Sequence, residues 1–110
     1  MRAPLVYVAG PYTHPDPVIN THDAIKVGEE IESNLGFNVF IPHLSLLWCI
    51  VSPAPLHRWY ERDNAVLLRC DAVFRMAGES PGADAEVALA EQHDIPVFTS
   101  MTDMRDWWLP

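Results

Sequence analysis

The sequence predicts one α/β domain spanning residues 1–110, in which helices cover both faces of a parallel sheet of order 2-1-3-4. Three observations carry that expectation. Short continuous apolar runs, LVYVA and AVF among them, are the pattern of strands buried on both faces. Stretches with apolar residues near helical spacing separate these runs, and such alternation folds as right-handed βαβ crossovers. Proline and glycine stand at the joints, at Gly10-Pro11, Asp16-Pro17, Gly36 and Pro42.

The elements follow in order. Leu5–Ala9 reads as a buried strand stopped by the Gly10-Pro11 turn. Asp16 is an N-cap with proline at the next, first helical position, opening a helix over Val18–Leu35 that Gly36 ends. Asn38–Ile41 is a second strand closed by Pro42. From Pro42 to Leu56 the chain is apolar yet holds three prolines, so the expectation is a loop with short helical turns whose Leu46, Leu47, Trp48 and Ile50 need burial. A helix over about His57–Arg69, a strand over Asp71–Ala77, a helix over about Ala83–His93 and a strand over Ile95–Thr99 complete the pattern. The tail, Met101–Pro110, is a short helix or an arm. There is no internal repeat or interdomain linker.

Composition narrows the function classes. A chain of 110 residues can bury roughly two-thirds of its unfolded surface without staples. The net charge of −8 argues against a nucleic-acid polymer as partner, which needs a basic footprint, but leaves room for a small anionic substrate met by local dipoles. No apolar run is long enough for a bilayer, and MRAPLVYVAG lacks a signal peptide's apolar core. Cys49 and Cys70 suggest neither a disulfide framework nor a metal knuckle, so a reduced cytoplasmic setting is expected. Five histidines without ligand spacing give no metal site. The glycine loops match neither a Walker A nor a GxGxxG pattern, so no ATP or dinucleotide cofactor is expected.

The strand order puts the switch point between the first and third strands, where ligands bind beyond the carboxyl ends. The loops there are Gly10–His14 and Gly78–Gly82, and His43 follows the second strand at the same end. Three residues break their local patterns. Glu86 lies just inside the helix that follows the second loop, projecting away from the polar side marked by Asp84 and Glu91; there the dipole favours its ionised form. Asp63 shares a helix face of about 80° with Trp59, Val66, Leu67 and Cys70. Tyr7 carries a hydroxyl into a strand of Leu and Val, where it needs a partner. Each has a structural alternative: a solvated helix-start glutamate, a salt-bridged aspartate, a tyrosine bonded to a backbone carbonyl.

Taken together, VYVAGPYT, RDNAVLLRCDAV and SPGADAE followed by VALA resemble the nucleoside 2-deoxyribosyltransferase superfamily, which includes the 2'-deoxynucleoside 5'-monophosphate N-glycosidases. The resemblance runs from Leu5 to Phe98. It implies a small Rossmann-like (flavodoxin-like) three-layer sandwich. It also implies that Glu86 attacks the anomeric carbon, that Tyr7 orients Glu86, and that Asp63 holds the sugar or manages protons at the base. Transferases acting on free nucleosides tend to carry aspartate at the position of Ser80, whereas the monophosphate N-glycosidases carry serine. The expected reaction is therefore cleavage of a nucleoside 5'-monophosphate, with deoxyribosyl transfer and nucleotide binding without turnover as alternatives. Gly10, Pro11, Ser80, Gly82, Ala83 and His43 are the expected substrate contacts, although Pro81 withholds one N–H from the loop. The apolar loop and the tryptophan tail suggest a homodimer or larger assembly, with Trp107 or Trp108 reaching a neighbour.

Overall fold

The computed structural model describes residues 2–110. Strands β1 (Leu5–Ala9), β2 (Asn38–Phe40), β3 (Ala72–Arg75) and β4 (Val97–Phe98) form one sheet of order β2-β1-β3-β4. All pairings are parallel, with Tyr7 level with Phe40 on one side and Val73 on the other. This is the order the sequence predicts. Helices α1 (Pro17–Glu30), α2 (Leu46–Val51), α3 (Leu56–Leu67), α4 (Pro81–Gln92) and α5 (Met101–Trp108) connect and cover it.

The period-2 alternation of β1 divides the core. Val6 and Val8 join Phe74 against Ala24 and Ile31 on one face, with Met104 of α5. Tyr7, Ala9 and Val73 pack on the other face against Leu67 of α3 and Ala83 and Ala90 of α4. Helices thus lie on both faces, and Val6 to Ala9 are wholly buried, as a continuous apolar strand requires. Among the described residues no helix is long and apolar enough to cross a membrane.

Local chemistry explains the joints. The Asp16 carboxylate accepts from Val18 and Ile19 N–H, capping α1 with Pro17 in its first turn. After Glu30 the helix widens into a π-helical turn over Ile31–Leu35, and Gly36 stops it at φ 71°, a left-handed conformation that glycine adopts without penalty. The strands are shorter than expected at the third and fourth positions, and α4 begins two residues earlier than the expected Ala83. Ser80 is the reason: its hydroxyl accepts from Ala83 N–H, which makes Pro81 the first helical residue.

One expectation fails. The apolar side chains after Pro42 do not find burial. A 3₁₀ turn over Pro42–Ser45 leads into α2, which has no buried residue, and Leu47, Ile50 and Val51 are largely exposed. A sheet has two faces, and the other four helices already occupy them. The tail takes the short-helix alternative. Ser100 caps α5, Met104 is fully buried, Trp108 packs edge-on against Phe37, and Trp107 lies against Phe98. The tryptophans are thus engaged within their own chain.

Candidate active site

The carboxyl ends of β1 and β3 open on one crevice, at which Tyr7, Asp63 and Glu86 meet from three elements. The Tyr7 hydroxyl donates a hydrogen bond to Glu86 Oε2. Tyr7 is wholly buried in β1, so it reaches a ligand only through Glu86. Asp63, on α3, lies close enough for its charge to act on both groups. It has no hydrogen-bond or ion-pair partner among the described residues, so the salt-bridge alternative does not hold. The tyrosine bonded to a backbone carbonyl is likewise replaced by the contact with Glu86.

Burial sets the protonation of this cluster. It pushes Glu86 up to about 7, against the downward pull of the Tyr7 hydrogen bond and with the Asp63 charge adding to the rise. The Arg75 charge pulls the other way. This corrects the expectation that the helix dipole holds Glu86 ionised. Because α4 starts at Pro81, Glu86 sits in the second turn, beyond the dipole's reach, and desolvation dominates. Burial likewise lifts Asp63 to about 6, with the neighbouring Arg62 opposing it. Tyr7 is driven well above the ordinary phenol range, first by burial and then by the Glu86 and Asp63 charges, so it stays a proton donor.

The loop after β1 is held from behind. His43 Nε2 donates to Pro11 O at 2.9 Å, and Asn20 Nδ2 donates to both Tyr12 O and His14 O at 2.9 Å. Both side chains are buried. His43 is therefore a strut under the loop rather than a wall of the pocket, and burial lowers its pKa, keeping it neutral. Gly10 is required by packing: a Cβ there would stand 2.8 Å from Met76 Sδ. Gly78 has φ 115°, and a Cβ there would meet Pro11 Cγ at 3.0 Å, so the two switch-point loops touch through Pro11.

At the second loop, the Ala83 N–H is taken by the Ser80 hydroxyl and the Asp84 N–H by Ser80 O. The Ala83 N–H is thus engaged within the helix cap. Of the residues expected there, Gly82 keeps its N–H free of those two caps, and Ser80 keeps its own hydroxyl proton. Arg75 braces this loop, donating to Gly78 O at 3.0 Å and pairing with Asp84 at 2.9 Å. Among the described residues no group of three His, Cys, Asp or Glu is placed to hold a metal ion.

Beside Asp63 opens a cavity of about 720 Å³ between α1, β2, α2 and α3, lined by Asp63 but by neither Tyr7 nor Glu86. Its walls include Trp48, Trp59 and Arg62. None of these three was assigned to the site from the sequence; the adjacency of Arg62 to Asp63 and the four-residue step from Trp59 were the available signals.

A doubly wound α/β protein with half-buried carboxylates at its switch point is the class that fold and site define. The structure resembles that of a 2-deoxyribosyltransferase from the psychrotolerant bacterium Bacillus psychrosaccharolyticus, with a TM-score of 0.62 over 93% of this chain and 90% of that one. Sequence identity is 16%, so the likeness is one of fold. No protein-family model and no curated protein matches the sequence.

Proposed function

We propose that the chain is an N-glycosidase that cleaves the base–sugar bond of a nucleoside 5'-monophosphate through a covalent glycosyl–Glu86 intermediate. The observation that carries this reading is the half-buried Tyr7–Glu86 hydrogen bond with the Asp63 charge acting on the same pair. The ionised Glu86 oxygen bonds to the anomeric carbon as the carbon–nitrogen bond breaks, and the bonding pair leaves with the base. The oxocarbenium-like transition state is stabilised by the same carboxylate. Asp63, protonated in part near neutral pH, supplies a proton to the departing base. Water then attacks the anomeric carbon, giving up its proton to Asp63 and freeing Glu86. Asp63 titrates at about 6 and Glu86 at about 7, so the reactive form, with the proton on Asp63 and Glu86 ionised, is the minor of the two singly protonated states.

The 5'-phosphate has donors at both loops. A trans peptide directs its N–H opposite to its carbonyl. With Pro11 O drawn to His43 and Tyr12 O to Asn20, the Tyr12 and Thr13 N–H groups point the other way, and neither has an acceptor among the described residues. The Ser80 hydroxyl proton and Gly82 N–H add to this set.

Deoxyribosyl transfer is the second reading, favoured by the fold likeness to a 2-deoxyribosyltransferase. It shares the intermediate and replaces water with a second base. Incubation with ribo- and deoxynucleoside 5'-monophosphates, monitored for free base and for a new nucleotide when a second base is added, separates the two. Tight nucleotide binding with no product of either kind refutes both. The exposed Leu47, Ile50 and Val51 of α2 support self-association, which light scattering tests.

A further inference from the structure

Arg62 is held in an unusual way. Its guanidinium carbon lies 3.8 Å from the centre of the Trp48 ring and 4.7 Å from that of Trp59, and the two rings meet edge to face at 5.4 Å. Aromatic faces, not a carboxylate, hold this cation. Arg62 Nη1 and Trp59 Nε1 are both buried, and neither has an acceptor among the described residues. Buried donors left unpaired are unfavourable until an acceptor reaches them. Both belong to walls of the cavity that Asp63 also lines, and its volume falls within the range of small-molecule sites.

We propose that this cavity seats the base of the substrate, and that Arg62 and Trp59 select there a base bearing ring carbonyls over one bearing amino groups. The inference rests on the reading of Glu86 as the group that takes the sugar. Guanidinium and indole nitrogens are donors only, so carbonyl oxygens complement them and an exocyclic amino group sets donor against donor. Val39, Ile41 and Val66 supply apolar walls for the body of a ring. Glu29 and Glu32 stand among the lining residues and Asp63 beside them, which disfavours a carboxylate or phosphate as the acceptor and leaves a neutral carbonyl. Trp48 is the movable cover: it is half-exposed on α2, a helix with no buried residue, so its rotation uncovers the guanidinium without disturbing the core.

Free uracil, cytosine, hypoxanthine and adenine serve as probes, titrated against the whole chain by calorimetry and by quenching of tryptophan fluorescence. The same four bases are compared as 5'-monophosphates in turnover. The carbonyl bases uracil and hypoxanthine bind roughly ten- to a hundredfold more tightly than cytosine and adenine, the range expected of a hydrogen bond to a charged donor. Arg62→Met abolishes most of that gap, and Trp59→Phe, which keeps a ring and loses only the N–H, reduces it. Equal binding of the four, a preference for amino bases, a gap that survives both substitutions, or no binding of any base overturns the proposal. Base release without carbonyl preference sinks this inference and leaves the glycosidase reading standing. Carbonyl-selective binding without release of base does the reverse.

Discussion

Glu86→Gln separates stability from activity in a way that only a buried, proton-linked carboxyl produces. The carboxyl titrates near 4.5 in an unfolded chain and at about 7 when folded. Below pH 4.5 it is protonated in both states and costs nothing. Between 4.5 and 7 the folded chain holds a proton that the unfolded chain has released, so stability falls as pH rises. Above 7 the whole penalty is present. At about 1.4 kcal/mol per pH unit, that window amounts to roughly 3 kcal/mol. Glutamine mimics the protonated form, keeps an oxygen for the Tyr7 hydroxyl and never pays the penalty. Urea denaturation of both proteins at pH 4.5 and pH 8 measures the difference. With an m-value of about 1–3 kcal/mol/M, the glutamine variant's midpoint exceeds the wild type's by roughly 1–3 M at pH 8 and matches it at pH 4.5. Base release is abolished at both. A stability difference that is equal at the two pH values refutes the linkage, and a variant that still releases base refutes the nucleophile.

Tyr7→Phe removes the hydrogen bond that favours ionised Glu86, so the acidic limb of the pH–rate profile moves to higher pH by roughly one to two; an unmoved limb places Tyr7 outside the pair. Asp63→Asn loses most base release and becomes more stable than wild type above pH 6, where the native carboxylate is ionised, as paired thermal melts at pH 4 and pH 8 will read. Ser80→Ala removes the cap of α4 for about 0.5–2 kcal/mol and narrows any preference for 5'-monophosphates over nucleosides, measured as the ratio of kcat/KM. Gly10→Ala drives a methyl against the Met76 side chain, nearest its Sδ, and destabilises by about 1–3 kcal/mol, measured by chemical denaturation.

The fold was legible because its signals are local. Continuous apolar runs marked β1 and β3, Asp16-Pro17 and Gly36 marked the limits of the first helix with its π-helical extension, and the alternation of elements gave the sheet order. The site was legible only as anomalies. Tyr7, Asp63 and Glu86 each broke a local pattern, and each kept a structural alternative until their elements met. The hydrogen bonds from Ala83 N–H to the Ser80 hydroxyl and from His43 to Pro11 O were not legible, because such contacts have no signature in the sequence. The joint hold of Trp48 and Trp59 on Arg62 escaped notice because an aromatic clasp on a cation joins two helices whose relative placement no periodicity encodes.

The sequence by itself determined which residues are strands and helices, in what order they stack, and which three polar side chains enter apolar company. Tertiary structure alone decided their chemistry. Proton affinity depends on what surrounds a group, and the surroundings of Glu86 come from β1, α3 and β3 as well as its own helix. A carboxylate that the helix dipole would hold ionised thereby becomes one that burial holds near neutrality, paired with a tyrosine seventy-nine positions away in the chain.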